Sequence, residues 1–337
     1  VVGEENMRAA ILPSPGDCFV LLHFLHYFKT VWQDEVDKLY IGINSDVETT
    51  VIYELLDELK HPKIVISYYD RPLGHGKAIN LLLEQCDEDF VVLLEDDSII
   101  FKKGFLTEKF DQLEGNEAMI IGSPRMSCPK QVADMAAKEF NLNYEGWGDK
   151  GPAFWPCFFF TRTNFLKSTS RHFGSSEMGD TFVRSSIEMR RKIHKSMSLT
   201  DKKGVFEIPQ YHCSPDDYQN KEANRGIFDG NCGYMHFGSL SSGIENTLLD
   251  QRGVPLKERT KDVGLVKIRQ PQSEQERMEL EKRVMWWNES YRLNQGKFGE
   301  FGEAYGYAIE NVIKECKLSW EAINNWRKLY YEVISNH

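Results

Sequence analysis

The sequence predicts an α/β fold: a mixed, mostly parallel sheet flanked by helices, with a helical C-terminal extension. Three observations carry this. Short apolar runs alternate with helix-like stretches through the first part of the chain, the pattern of a buried parallel sheet. Those runs stop on turn-forming or acidic residues. From about Lys261 onward the apolar runs give way to long charged segments with helical periodicity. At 337 residues the chain is long for one core, so we read an α/β domain over residues 1–262 and a helical region over residues 263–337.

The elements follow in order. Residues 9–12 (AAIL) are the first strand, closed by Pro13, Ser14, Pro15 and Gly16. Asp17 suits the N-cap of a helix running to Trp32. Residues 39–43 (LYIGI) are the second strand, ending at Asn44, Ser45 and Asp46, with a helix following to Leu59. Residues 63–67 (KIVIS) are the third, ending near Tyr69, Asp70 and Arg71. Gly74, His75 and Gly76 form a tight turn into a helix over 77–85, and residues 90–94 (FVVLL) are the fourth strand. It stops on Glu95, Asp96 and Asp97. Ligands of open α/β sheets bind beyond the carboxyl ends of the strands. These four ends are expected to converge on one edge.

The middle of the chain is less regular. Strands are expected at 119–122 and 205–208, a helix over 177–192, and a strand dissolving into a Gly/Ser loop at 232–243 (CGYMHFGSLSSG). Residues 154–161 (FWPCFFFT) are strongly aromatic, and Phe158 to Phe160 suit a buried strand. A long charged helix over 273–292 presents Leu280, Val284 and Trp287 as its buried face, and helical patterns return over 308–335. His23 and His26, on an early apolar helix, suit structural roles, and His212 with Asp216 and Asp217 suits a polar loop more than a second metal site.

Composition limits the functional classes. A hydrophobic fraction of 41% supports a full core, and no apolar run is long enough to span a bilayer. The net charge of −10, with only short basic clusters such as Arg190-Arg191-Lys192, argues against nucleic acid as the main partner. Seven cysteines without a CxxC pair fit scattered core thiols in a reducing compartment, so a cytoplasmic location is expected.

The chemistry concentrates at Glu95-Asp96-Asp97. Hard cations such as Mg²⁺ and Mn²⁺ prefer oxygen ligands. Side chains alternate along a strand, which puts Glu95 and Asp97 on one side and Asp96 on the other. On spacing alone an acidic turn fits as well as a cation site. The Gly74-His75-Gly76-Lys77-Ala78-Ile79-Asn80 segment, a short helix, and a hydrophobic strand into Glu95-Asp96-Asp97 together resemble the nucleotide-sugar half of GT-A glycosyltransferases, in particular family 2-like enzymes. Their hallmark is a DxD motif at this strand end; here the first acid is Glu, which also presents a carboxylate. Tyr234 to Ser239 is similar to the family's C-terminal strand and loop, in which a His completes the metal site. Tyr291 to Tyr305 resembles a Lys-Trp-Gly-Gly segment of some such enzymes, with Phe298 in place of the Trp. The resemblance covers most of residues 8–245.

It implies a GT-A (Rossmann-like) fold and a metal-dependent, inverting transfer of a sugar from a nucleotide-diphosphate donor, UDP-sugars favoured, to a carbohydrate or other hydroxyl acceptor. Glu95, Asp97 and His236 would hold Mn²⁺ or Mg²⁺. Pro13, Ser14, Asn44, Asp46, Arg71, Lys77 and Asp96 would meet the donor, although turn chemistry or a solvated charge accounts for several of them equally well. Asp180, or Glu177 beside it, would act as general base at a helix N-terminus, where the dipole favours the carboxylate; a simple N-cap is the other reading. Trp147, Phe154 and Trp155 are candidates for an aromatic acceptor platform. Two other classes remain open on sequence grounds: a nucleotidyltransferase acting on a sugar phosphate, and a non-catalytic sugar-binding module of the same fold.

Overall fold

The computed structural model describes residues 6–14, 18–43, 60–69, 73–123, 154–169, 182–193, 204–207, 233–236, 248–249, 267–268, 270–293 and 299–335. The four apolar runs form β1 (Arg8–Ser14), β2 (Lys38–Ile43), β3 (Ile64–Tyr68) and β4 (Phe90–Leu93). Downstream lie β5 (Ser98–Ile100), β6 (Ala118–Gly122), β7 (Phe159–Arg162), β8 (Gly204–Glu207) and β9 (Tyr234–His236). Seven of these form one sheet in the order β3-β2-β1-β4-β7-β6-β8. All its pairings are parallel except those of β7, which runs antiparallel between β4 and β6. This is the mixed, mostly parallel sheet expected from the sequence. Strands β5 and β9 form a separate antiparallel pair.

The central strands read as continuous apolar runs because both their faces are covered. Ala10, Leu12, Leu39, Ile41 and Val92 point into one hydrophobic cluster, and Ala9, Ile11, Tyr40, Val91 and Leu93 into the other. The second cluster is closed by α2 (His75–Gln85), through Ile79, Leu82 and Leu83, and by Met189 of α5 (Val183–Ile193). The first is closed by α1 (Cys18–Tyr27), α3 (Phe105–Glu114) and the C-terminal helices. Each large apolar side chain taken fully out of water contributes about 1.5–3 kcal/mol. The short α4 (Thr163–Lys167) follows β7 directly.

Two details depart from expectation. The first helix does not run unbroken to Trp32; at Phe28 it widens into a π-helical turn, followed by a 3₁₀ turn at Gln33–Glu35. The Thr30 hydroxyl donates to the His26 carbonyl at 2.7 Å, a side-chain bond that competes with the regular helical ladder. Glu35, at the end of this segment, is buried and caps a different helix. Its carboxylate accepts the backbone N–H groups of Gly104 (2.7 Å) and Thr107 (2.9 Å) at the start of α3. Gly104 itself has φ 86°, a left-handed conformation that suits glycine.

The C-terminal region comprises α6 (Glu274–Leu293), α7 (Gly299–Glu315) and α8 (Trp320–Ser335). Leu280, Val284 and Trp287 are buried as expected, and so are Met285 and Trp286, because α6 packs against both α1 and α8. The Trp286 ring stacks on His23 of α1 at 4.0 Å between centroids. His23 is fully buried, with Nδ1 at 3.0 Å from the Ser290 hydroxyl and Nε2 at 2.8 Å from the Tyr330 hydroxyl. Burial, with His26 nearby, lowers its pKa to about 3, so the ring is neutral. Two buried acids of α6 are paired: Glu281 with Arg277 and the Ser319 N–H, and Glu289 with Arg327 (2.7 Å), Arg292 (2.9 Å) and the Tyr331 hydroxyl (2.6 Å). Among the described residues, no helix is long and apolar enough to cross a membrane.

Candidate metal centre

Strand register assembles the site. In the parallel pairing of β1 with β4, Ile11 stands opposite Leu93, and the Leu94 N–H donates to the Ile11 carbonyl at 2.9 Å. Continuing three residues along both chains brings Ser14 to Asp96, and the Ser14 hydroxyl donates to Asp96 Oδ2 at 2.5 Å. Glu95, Asp96 and Asp97 form the turn from β4 into β5, closed by the Ser98 N–H donating to the Glu95 carbonyl at 3.1 Å. In the β5–β9 ladder Ser98 is opposite His236. That register delivers the imidazole to the acids: His236 Nε2 is 2.9 Å from Glu95 Oε2 and 3.1 Å from Asp97 Oδ1. Asp96 thus faces Ser14 while its two neighbours face His236.

The same reasoning brings in a thiol. Strand β7 pairs with β4 so that Phe159 is opposite Leu93. Two residues before Phe159 is Cys157, and two residues after Leu93 is Glu95. One ligand atom each from Glu95, Cys157 and His236 lie within 4.8 Å of one another. A second imidazole approaches from α2, where His75 Nε2 is 4.0 Å from Glu95 Oε1. His75 opens that helix directly after Gly74, whose φ of 75° makes the sharp entry possible.

The electrostatics suit a cation. Burial acts to lower the His236 pKa, but the Asp97 and Glu95 carboxylates outweigh it and push it up to about 10. The His236 Nε2 thus faces two carboxylates at once. A dication with neutral imidazole would balance both acids. The spacing fits as well: ligands on adjacent corners of an octahedron with bonds of about 2.1 Å stand about 3 Å apart. Cys157 is held as a neutral thiol, its pKa pushed well up by burial and by the neighbouring Glu95 and Asp97 carboxylates.

The other residues singled out in the sequence distribute as follows. Pro13 and Ser14 are buried at the end of β1, beside the acidic turn, and Lys77 is exposed on the first turn of α2. Asn44, Asp46, Arg71, Glu177, Asp180, Trp147 and the His212 group lie outside the described residues. The aromatic platform needs correcting. Phe154 is fully buried, packed against Phe159 over Gly122, where a Cβ would come within 3.0 Å of it; it belongs to the core. Cys157 and His75 were not identified as site residues from sequence. Cys157 sits inside an aromatic run that reads as core, and only the antiparallel return of β7 brings it to the acids. For His75 a signal existed, since the Gly-His-Gly turn lies at the carboxyl edge of the sheet.

No protein-family model matches the chain, and no curated protein matches it. Similar solved structures include a mannosyltransferase, PcManGT from Pyrobaculum calidifontis, in complex with GDP-Man and Mn²⁺, at 9% identity over 99% of this chain and 77% of that one, with a TM-score of 0.42. They also include the WbbM bifunctional glycosyltransferase, at 12% identity over 77% of this chain and 49% of that one, TM-score 0.41. Glucosyl-3-phosphoglycerate synthase from Mycobacterium tuberculosis, in complex with Mn²⁺, UDP-Glc and phosphoglyceric acid, matches at 14% identity over 61% of this chain and 70% of that one, TM-score 0.39.

Proposed function

We propose that this chain is a glycosyltransferase that moves a sugar from a nucleotide-diphosphate donor to an acceptor hydroxyl, with a divalent cation held by Glu95, Asp97 and His236. The observation that supports it most directly is the meeting of two carboxylates and an imidazole at the carboxyl edge of a mostly parallel sheet. These are also among the residues on which the GT-A resemblance rests. A cation bound there would supply positive charge to the leaving diphosphate. An imidazole in the ligand set favours Mn²⁺ over Mg²⁺.

The remaining roles belong to the chain itself. Ser14 anchors Asp96 and so fixes the turn that aims its two neighbours. Lys77, exposed on α2, offers charge to the donor's phosphates, and UDP-sugars are the favoured donors. Asp180, with Glu177 as the second candidate, takes the acceptor proton as the hydroxyl attacks the anomeric carbon from the face opposite the leaving group. That geometry inverts the configuration. A screen of UDP-, GDP- and dTDP-sugars with Mn²⁺ tests the reading. One donor should raise the melting temperature and release its nucleoside diphosphate in a metal-dependent way. Asp97→Ala should abolish that release, and Asp180→Asn should abolish transfer while sparing Mn²⁺ binding. If no donor stabilises the protein or turns over, or if Asp97→Ala keeps full turnover, the proposal is wrong.

A further inference from the structure

We infer that the centre has a second, softer mode of coordination, in which a thiophilic dication such as Zn²⁺, Cd²⁺ or Co²⁺ is held by the Cys157 sulfur together with His236 and Glu95, displacing the hard ion. This rests on the proposal that the acidic turn is a cation site, and it adds to that site a ligand which the sugar-transfer reading does not use.

The geometry comes first. Cys157 is a free thiol, 2% exposed, and its sulfur lies within 4.8 Å of ligand atoms of both His236 and Glu95. Zn–S bonds are about 2.3 Å and Zn–N bonds about 2.0–2.1 Å, so a movement of about an ångström in each side chain closes the set around one ion. The position is fixed rather than incidental. Cys157 sits in the turn that leads directly into β7, whose first residue Phe159 is opposite Leu93, and Phe158, between them, is buried with φ 53°. A left-handed conformation at a bulky aromatic residue is rare, and such strain gathers at functional positions. Phe158 is packed between Phe105 and Tyr234, so the turn cannot swing its thiol away without opening the core.

The chemistry decides which ions use it. Mg²⁺ and Mn²⁺ prefer oxygen donors, Mn²⁺ accepting an imidazole more readily, and both leave sulfur alone; thiolate with imidazole and carboxylate is a donor set for zinc-like ions. On binding, the Cys157 proton passes to solvent as the sulfur–metal bond forms, and nothing is oxidised or reduced. Glu95 and His236 serve both modes, so the two kinds of ion exclude each other.

Co²⁺ is the probe, titrated into the full chain with Mn²⁺ binding followed in parallel by electron paramagnetic resonance. Wild-type protein should show a near-ultraviolet thiolate-to-cobalt charge-transfer band that grows as Mn²⁺ is released. Cys157→Ser should lose the band and bind Cd²⁺ at least about tenfold more weakly, while its Mn²⁺ affinity stays within about twofold. Circular dichroism confirms that the variant folds, and the wild-type band stands as a readout even if it does not. Release of Mn²⁺ by Co²⁺ with no thiolate band in the wild type overturns the inference and leaves the oxygen–nitrogen site standing. So does a band that survives Cys157→Ser. If neither Mn²⁺ nor Co²⁺ binds the wild type, the cation site itself fails and the inference falls with it.

Discussion

Replacing His236 with alanine removes the imidazolium that faces both acids. Each acidic oxygen is within 3.1 Å of Nε2, so the two are no more than about 6 Å apart. At an effective dielectric constant of about 20, like charges at that separation repel by about 3 kcal/mol. Breaking one partner out of a buried ion pair costs about 3–5 kcal/mol. Asp97 is fully buried, but the Glu95 side chain is 19% exposed and partly screened, which favours the lower end, about 3 kcal/mol. The assay is urea unfolding at neutral pH, in chelator and in Mn²⁺. In chelator His236→Ala should be about 3 kcal/mol less stable than wild type. With Mn²⁺ at 100 times its dissociation constant the wild type should gain about 2.7 kcal/mol, and the variant, lacking one ligand, less at the same concentration. A loss below about 1 kcal/mol in chelator, with equal Mn²⁺ stabilisation of both proteins, would refute the charge arrangement on which the cation site depends.

Two further predictions concern the scaffold. His23 is neutral when folded down to about pH 3, whereas the unfolded chain takes up that proton near its ordinary pKa of 6.5. Stability should therefore hold above that pH and fall as pH drops below it, with a contribution approaching about 1.4 kcal/mol per pH unit, and His23→Gln should flatten the slope of a urea-midpoint profile; an unchanged slope would count against it. Glu35→Ala strips two backbone N–H groups at the start of α3 of their acceptor and should cost about 1–2 kcal/mol in thermal or chemical unfolding, with Glu35→Gln recovering part of it.

Much of the sheet was legible because parallel strands buried on both faces announce themselves as unbroken apolar runs, and β1, β2 and β4 are such runs. Glu95 and Asp97 stood out for the converse reason: charges at the end of a buried strand conflict with their surroundings unless something offsets them. Features that depend on distant pairing were not legible. Cys157 joins the centre only through an antiparallel register, and nothing in FWPCFFFT distinguishes a thiol that faces acids from one that faces phenyl rings. Phe154 looked available for stacking because an aromatic residue before a strand reads alike whether it is covered or exposed. Glu35 as a cap for α3 lies far from that helix in sequence, beyond the reach of local capping rules. Met285 and Trp286 escaped the helical pattern of α6 because a helix packed on two sides has no single apolar stripe.

The β5–β9 ladder has a consequence for the order in which the molecule is made. It joins two short strands separated by roughly 130 residues, a closure that local contacts do nothing to hasten. Until it forms, the turn after β4 lacks His236, the group nearest both of its carboxylates, and its grip on an ion is incomplete. An ion bound at the completed centre therefore marks a finished fold rather than seeding one, in contrast to small zinc modules whose folding is driven by the metal. Chaperoned or ribosome-bound chains would have to finish most of the α/β region before they acquired any preference among dications.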